Sequence, residues 1–196
     1  LVVLLMAVIV GAIGAVIGSG GAANSAEDYT YQAQVSEQTE SYRDMVVDYC
    51  EKYGIDDYVD LCLAVIEQES GGNPPDVMQT EQSYYNVNPP IDTAEESIDC
   101  GTHELSDCLT KAKSKSPNDI KGISLALQGY NFGNGYIDWA LKNYGCYSKE
   151  NAEIFSQKMC VELGYDSYGD VEYVPHVLRY YIANPETTVT NESANS

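Results

Sequence analysis

The chain has 196 residues, enough for one domain with a real core. Ten Lys and Arg face 30 Asp and Glu, a formal charge of −20, which argues against binding nucleic acid or anionic lipid through a basic patch. Tyrosine is abundant, 17 against 2 Phe and 1 Trp. Such rings either fill half-buried positions or stack on sugar faces while their hydroxyls hydrogen-bond.

Residues 1–26 carry no charge and are nearly all apolar as far as Ile17. About 20 such residues cross a bilayer as a helix, so this stretch is expected to be a transmembrane signal anchor. The small residues Gly21, Ala23 and Ala26 also permit signal-peptide cleavage. Either reading puts the remainder outside the cytoplasm, held at the membrane by a single pass or secreted to the cell wall. Residues 27–40 are acidic and lack periodicity, and read as a linker.

From 41 to 53 a helical stripe of Tyr42, Met45, Val46, Tyr49, Cys50 and Tyr53 is closed by Gly54. Asp56 or Asp57 is expected to cap the next helix. On that helix Val59, Cys62 and Ile66 share a side with Glu69, while Glu67 lies about 200° around the axis. Gly71, Gly72, Pro74 and Pro75 stop it. Glu69 therefore stands at the end of a core-facing helix, on the lip of whatever cleft the following loop makes. Desolvation there raises a carboxyl pKa, as a general acid working near neutral pH requires.

Residues 73–92 read as a loop whose Tyr84, Tyr85 and Asn86 are candidates to line the cleft. A helix is expected over 92–115, with Leu105 and Leu109 inward, and another over 120–129, capped by Asn118 or Asp119. It runs into a glycine-punctuated loop at 130–135, where the backbone can approach a ligand. A further helix spans 136–144. Ser148 caps one with Ala152, Phe155, Met159, Cys160 and Leu163 inward, stopped by Gly164. Pro175 suits the first turn of a last helix reaching about 182, and 184–196 read as a disordered polar tail. Neither an internal repeat nor a second domain is visible.

Six cysteines suit an exported protein with persisting disulfides. Six cysteines allow fifteen pairings and the sequence does not choose among them; the pairing of sequence neighbours would be Cys50 with Cys62, Cys100 with Cys108, and Cys146 with Cys160. Cys100, His103 and Cys108 make only a partial zinc pattern, with a fourth ligand missing, so neither metal nor cofactor is expected. No nucleophile signature surrounds any cysteine, and packing or surface exposure is expected of His176.

Three blocks carry more specific information: Q-E-S-G-G (68–72) followed by Met78-Gln79; A-L-Q-G-Y-N-F-G-N-G-Y-I (126–137); and Y-G-D-V-E-Y-V-P-H-V-L-R-Y-Y (168–181). In this order and spacing they resemble the goose-type lysozyme and soluble lytic transglycosylase superfamily, and most closely the bacterial lysozyme-like domain in cell-wall hydrolases of conjugative elements. The resemblance implies a mainly α, goose-type orthogonal helical domain over 41–183 with a small irregular or β element.

It also implies roles. Glu69 matches the catalytic acid that protonates the glycosidic oxygen between N-acetylmuramic acid and N-acetylglucosamine. Ser70 matches the serine that shapes the active-site turn. Met78 and Gln79 match the pair beside the cleaved bond, Tyr130 and Asn131 the sugar-contacting loop, and Tyr173 the tyrosine whose hydroxyl lies near the acid. Glycoside hydrolysis normally uses a second carboxylate; Glu81 is the candidate, with Asp76 another.

The function the resemblance implies is a muramidase that opens the wall locally, with peptidoglycan strands as substrate and a conjugative secretion apparatus as partner. Lytic transglycosylase is the alternative within enzymes. A non-catalytic wall-binding or secretion scaffold is the alternative outside them, since a charge of −20 is awkward against an anionic wall.

Overall fold

The structure is a computed structural model that describes residues 29–87 and 89–185. The expected anchor or signal segment, 1–26, lies outside the described residues. Among the described residues no helix is long and apolar enough to cross a membrane.

The fold is built around α3 (Val59–Ser70). The expected one-sided stripe understates it: every residue from Leu61 to Ile66 is fully buried, as befits a helix that is apolar all round. Each aliphatic side chain buried this way contributes about 1.5–3 kcal/mol. Gly71 ends the helix at φ +62°, its N–H returning to the Glu67 carbonyl, a conformation that suits glycine. The expected cap from Asp56 or Asp57 does not form; a 3₁₀ turn, Asp56–Tyr58, leads into the helix instead.

Around α3 pack α2 (Arg43–Tyr53), α8 (Tyr173–Leu178) and a two-stranded sheet. Val46 and Cys50 are the buried side of α2, and Gly54 at φ +69° closes it as expected. Behind α2 lies α4 (Ala94–Ala112), started by a capping box in which Thr93 and Glu96 satisfy each other's backbone N–H. It runs along α5 (Ile120–Phe132), capped by Asp119, whose carboxylate accepts from Gly122 N–H. Gly101 on α4 permits a close approach: a Cβ there would sit 2.6 Å from Met78 Sδ. The helix α6 (Gly135–Asn143) follows, and then α7 (Lys149–Leu163), started by Ser148 as expected. Only the first half of α7 is inward. Ala152 and Phe155 are buried, Met159 and Cys160 are half-buried, and Leu163 is exposed.

Residues 29–40, expected as linker, carry a strand and a short helix, and residues 181–185, expected as the end of the last helix and the start of the tail, form a strand; the rest of the expected tail, 186–196, lies outside the described residues. Residues Tyr29–Ala33 form β1, antiparallel to β2 (Tyr181–Pro185), with Tyr31 opposite Ala183 and Ala33 opposite Tyr181. The Tyr31 and Tyr181 rings stack at 4.9 Å. This pairing also stops α8 at Leu178, short of the expected 182. A single-turn helix, α1 (Glu37–Glu40), completes the N-terminal strap. The strand pair is a small β element like the one the resemblance implies, but it joins residues 29–33 to residues 181–185, across the expected domain end at 183.

All six cysteines are free. Cys50 and Cys62 are neighbours across α2 and α3, Sγ to Sγ 3.6 Å. Cys100 and Cys108 cannot pair, because eight residues along one helix separate them by about 12 Å. Cys108 instead hydrogen-bonds Asn134 Oδ1 at 3.3 Å, and Cys146 is exposed.

The strap grips the helix that carries Glu69. A chain starting at Ser41, which lacks β1 and α1, should therefore unfold at a Tm lower by on the order of 5–10 °C. Calorimetry against the chain starting at Tyr29 measures this.

Candidate active site

The turn after α3 is held from two directions. Ser70 Oγ donates to the Val77 carbonyl at 2.8 Å and accepts from Gly72 N–H at 3.1 Å. Ser70 Oγ thus ties the turn to the loop backbone. From outside, the strap adds its own contacts. Glu67 Oε2 accepts from Ser36 N–H, Ser36 Oγ and Thr39 Oγ1 at 3.2, 2.9 and 2.5 Å. The Gly72 carbonyl accepts from Gln38 Nε2 and Tyr42 Oη at 2.9 and 3.2 Å. A Cβ at Gly72 would press on the Thr39 backbone at 3.0 Å, so glycine is what lets the strap close.

Glu69 itself points the other way. Its Oε1 accepts from Tyr173 Oη at 2.5 Å, where Tyr173 rises from the first residue of α8 and is buried. Burial pushes the Glu69 carboxyl up to about 7, against the lowering effect of the Tyr173 hydrogen bond and helped by the negative charges of Asp76 and Asp170. Tyr130 stacks on Tyr173, with ring centroids 6.4 Å apart. Burial, and then the Glu69 charge, drive both phenols well above their ordinary value of 10.0, so both remain hydrogen-bond donors. Tyr130 donates to the Met78 carbonyl at 2.9 Å.

The loop between α3 and α4 is organised by Asp76. Its Oδ1 accepts from Thr80 N–H at 2.8 Å, Thr80 Oγ1 at 3.1 Å and Ser97 Oγ at 2.6 Å, and its Oδ2 accepts from Glu81 N–H at 2.9 Å. These bonds fix a carboxylate close enough to Glu69 to raise its pKa. They also hold Gln79 at φ +54°, a conformation costing on the order of 1 kcal/mol that persists only where surroundings impose it.

Beside this centre runs a groove of about 450 Å³, bounded by Asp76, Gln79, Glu81, Glu104, Tyr130 and Asn131 among others. Glu69 is not one of its lining residues, but two of its electrostatic neighbours, Asp76 and Tyr130, are.

The sequence-derived candidates divide accordingly. Glu69, Tyr130 and Tyr173 are brought together, and Gln79, Asn131 and Glu81 line the adjoining groove. Met78 is fully buried, its side chain packed on Gly101 and its carbonyl held by Tyr130; it supports the wall from behind. Tyr84 and Tyr85 do not line the groove.

Two carboxylates went unnoticed in sequence. Glu104 lines the groove from α4, where burial raises its pKa; its neighbours Leu105 and His103 gave no local signal. Asp170, inside the third block, ties loops together. Its N–H donates to Asn131 Oδ1 at 2.6 Å, its carbonyl accepts from Gln128 Nε2 at 2.9 Å, and its Oδ2 meets His176 Nδ1 at 2.6 Å. His176 is thus a partner of Asp170 on the surface. His103 lies between Tyr53 and Tyr85, and no group of His, Cys, Asp and Glu suited to a metal occurs among the described residues.

Comparison with known proteins gives one family match, to lysozyme-like proteins, over residues 36–190. The chain is 36% identical over 146 residues to the bifunctional muramidase/DL-endopeptidase CwlT of Bacillus subtilis, covering 74% of this chain and 42% of that protein. It is 31% identical over 120 residues to a pneumococcal vaccine antigen A homolog of Streptococcus pyogenes, covering 61% of this chain and 58% of the other. A solved structure from Staphylococcus aureus, described as similar to a lipoprotein of the NLP/P60 family, superposes with a TM-score of 0.65 at 29% identity, covering 79% of this chain and 55% of that one. The chain spans about half the length of the relatives it matches.

The raised pKa carries a stability consequence. Below the ordinary carboxyl value Glu69 is protonated both folded and unfolded and has no effect. Above pH 7 the folded state holds a charge it disfavours, at a cost of at most about 3 kcal/mol. Glu69→Gln should therefore match the parent in urea unfolding at pH 4 and exceed it in stability at pH 8.

Proposed function

The chain belongs to the lysozyme-like family, and from that premise we propose that it is a peptidoglycan hydrolase acting as a muramidase, with Glu69 as the proton donor. The observation that carries this reading is the buried Glu69 carboxyl, hydrogen-bonded by Tyr173 beside a groove of saccharide size and with its pKa pushed up to about 7. The muramidase named in a similar protein supports it.

In the proposed reaction Glu69 gives its proton to the glycosidic oxygen as the C1–O bond breaks, and positive charge develops on the sugar ring. Asp76, immobile through four hydrogen bonds, is a preorganised negative charge suited to that stage. Water then completes hydrolysis, returning the proton that Glu69 lost. If the sugar's own 6-hydroxyl attacks instead, the same residues act as a lytic transglycosylase and the product carries an anhydro ring. Gln79, Asn131, Tyr130, Glu81 and Glu104 would receive the strand along the groove. Outside the described residues, the uncharged 1–26 segment would carry the domain to the wall, with attachment to a secretion apparatus a further proposal on resemblance alone.

Two outcomes test the reading. Glu69→Gln should lower clearing of purified sacculi at least a hundredfold while retaining binding to them. Mass spectrometry of the parent's products should show reducing muramic ends; anhydro ends would assign the transglycosylase. Undiminished clearing by the variant would contradict the assignment of Glu69, and a parent that binds without ever clearing would favour a scaffold.

The pH profile gives a separate check. Activity should fall as pH rises through about 7, where Glu69 loses its proton. Because the Tyr173 hydroxyl favours the ionised carboxyl, Tyr173→Phe should move that alkaline limb to higher pH.

A further inference from the structure

The loop that lines the groove does not end with it. Glu81, Gln82 and Ser83 border the groove, and the next residue, Tyr84, is 89% exposed. On α4 the groove residue Glu104 likewise adjoins His103, so groove and aromatic cluster share two boundaries.

The cluster is a built pedestal. The Tyr85 ring stacks on His103 at 3.7 Å, and His103 stacks on Tyr53 at 4.2 Å. Asp107 takes the Tyr85 hydroxyl and Asp99 the Tyr53 hydroxyl. Beneath Tyr84 the chain is cross-braced, with Ser83 N–H donating to the Thr80 carbonyl at 2.9 Å and Tyr85 N–H to Ser83 Oγ at 3.3 Å. Tyr84 makes a T-shaped contact with Tyr85, at 5.4 Å and 83°, and is otherwise exposed. Three rings and two carboxylates thus fix the support of one aromatic ring that the described residues leave largely uncovered. An aromatic face with a polar rim suits the apolar face of a pyranose ring.

We propose that Tyr84 is a distal saccharide subsite, taking a sugar of the glycan strand beyond those in the groove. The proposal rests on the glycan-cleaving reading of that groove. Its occupant is a sugar ring met through its apolar C–H face, a contact that needs no cation, in keeping with the absence of any Lys, Arg or His among the groove's lining residues. Such a subsite serves long strands and is out of reach of short ones. Its contribution falls on binding, because it is remote from Glu69 and acts equally on ground and transition states.

The test compares the parent, Tyr84→Ala and Tyr84→Trp on peptide-free glycan strands and on a tetrasaccharide, with retention of each protein on insoluble glycan as a second readout. For Tyr84→Ala the expectation is a KM about fivefold higher on long strands, with kcat unchanged, no change on the tetrasaccharide, and earlier elution from glycan. Tyr84→Trp should retain parental values. Equal KM and retention for parent and Tyr84→Ala would overturn the subsite, as would an equal loss on the tetrasaccharide or a loss only on peptide-bearing strands. Glu69→Gln run in parallel separates the two claims: if it is inactive while Tyr84→Ala behaves as the parent, only the subsite falls.

Discussion

A carboxyl and a phenol sharing a hydrogen bond out of water is the constraint on which this molecule depends. Glu69 is carried to that point by a helix whose preceding residues, Leu61 to Ile66, are fully buried. Tyr173 meets it from the start of α8. Water would hold Glu69 ionised at neutral pH; burial does the opposite and leaves a proton available. The core therefore acts on the chemistry directly, since the same packing that stabilises α3 sets the protonation state at its end.

Much of the remaining polar structure serves to keep that end still. Asp76 gathers Thr80, Ser97 and the Glu81 backbone into one loop, and Asp170 gathers Asn131, Gln128 and His176 into another. Both carboxylates also raise the Glu69 pKa, so the braces of the site are part of its electrostatics. From outside, Ser36 and Thr39 close on Glu67, two residues before the acid. One helix turn thus carries two carboxylates on opposite sides, Glu67 bonded to the strap and Glu69 to Tyr173.

Local signals in the sequence held at two helix starts and failed at a third, where the cap expected from Asp56 or Asp57 does not form. Asp119 and Ser148 cap helices because a side-chain oxygen and an N–H three residues on are always within reach. Glu69, Tyr130 and Tyr173 were legible through motif blocks. Their convergence was not, since Tyr173 and Glu69 lie 104 residues apart. The strand pair was missed for the same reason: Tyr29–Ala33 has no partner until Tyr181–Pro185 arrives, and its short polar sequence reads as linker. Sequence adjacency also misled, for Cys100 and Cys108 share a helix whose rise keeps them apart. Met78, expected in the cleft, is buried with its side chain packed against Gly101, where a Cβ would collide with it.

The account stands or falls on the protonation of one side chain. Carbon-detected NMR titration of the Glu69 side-chain carboxyl, assigned by comparison with Glu69→Gln, reads it without reference to substrate. A midpoint near pH 7 is what the buried, Tyr173-bonded carboxyl predicts. A midpoint near the ordinary carboxyl value of 4.5 would show Glu69 to be solvated and ionised at neutral pH, and the general-acid account would be contradicted.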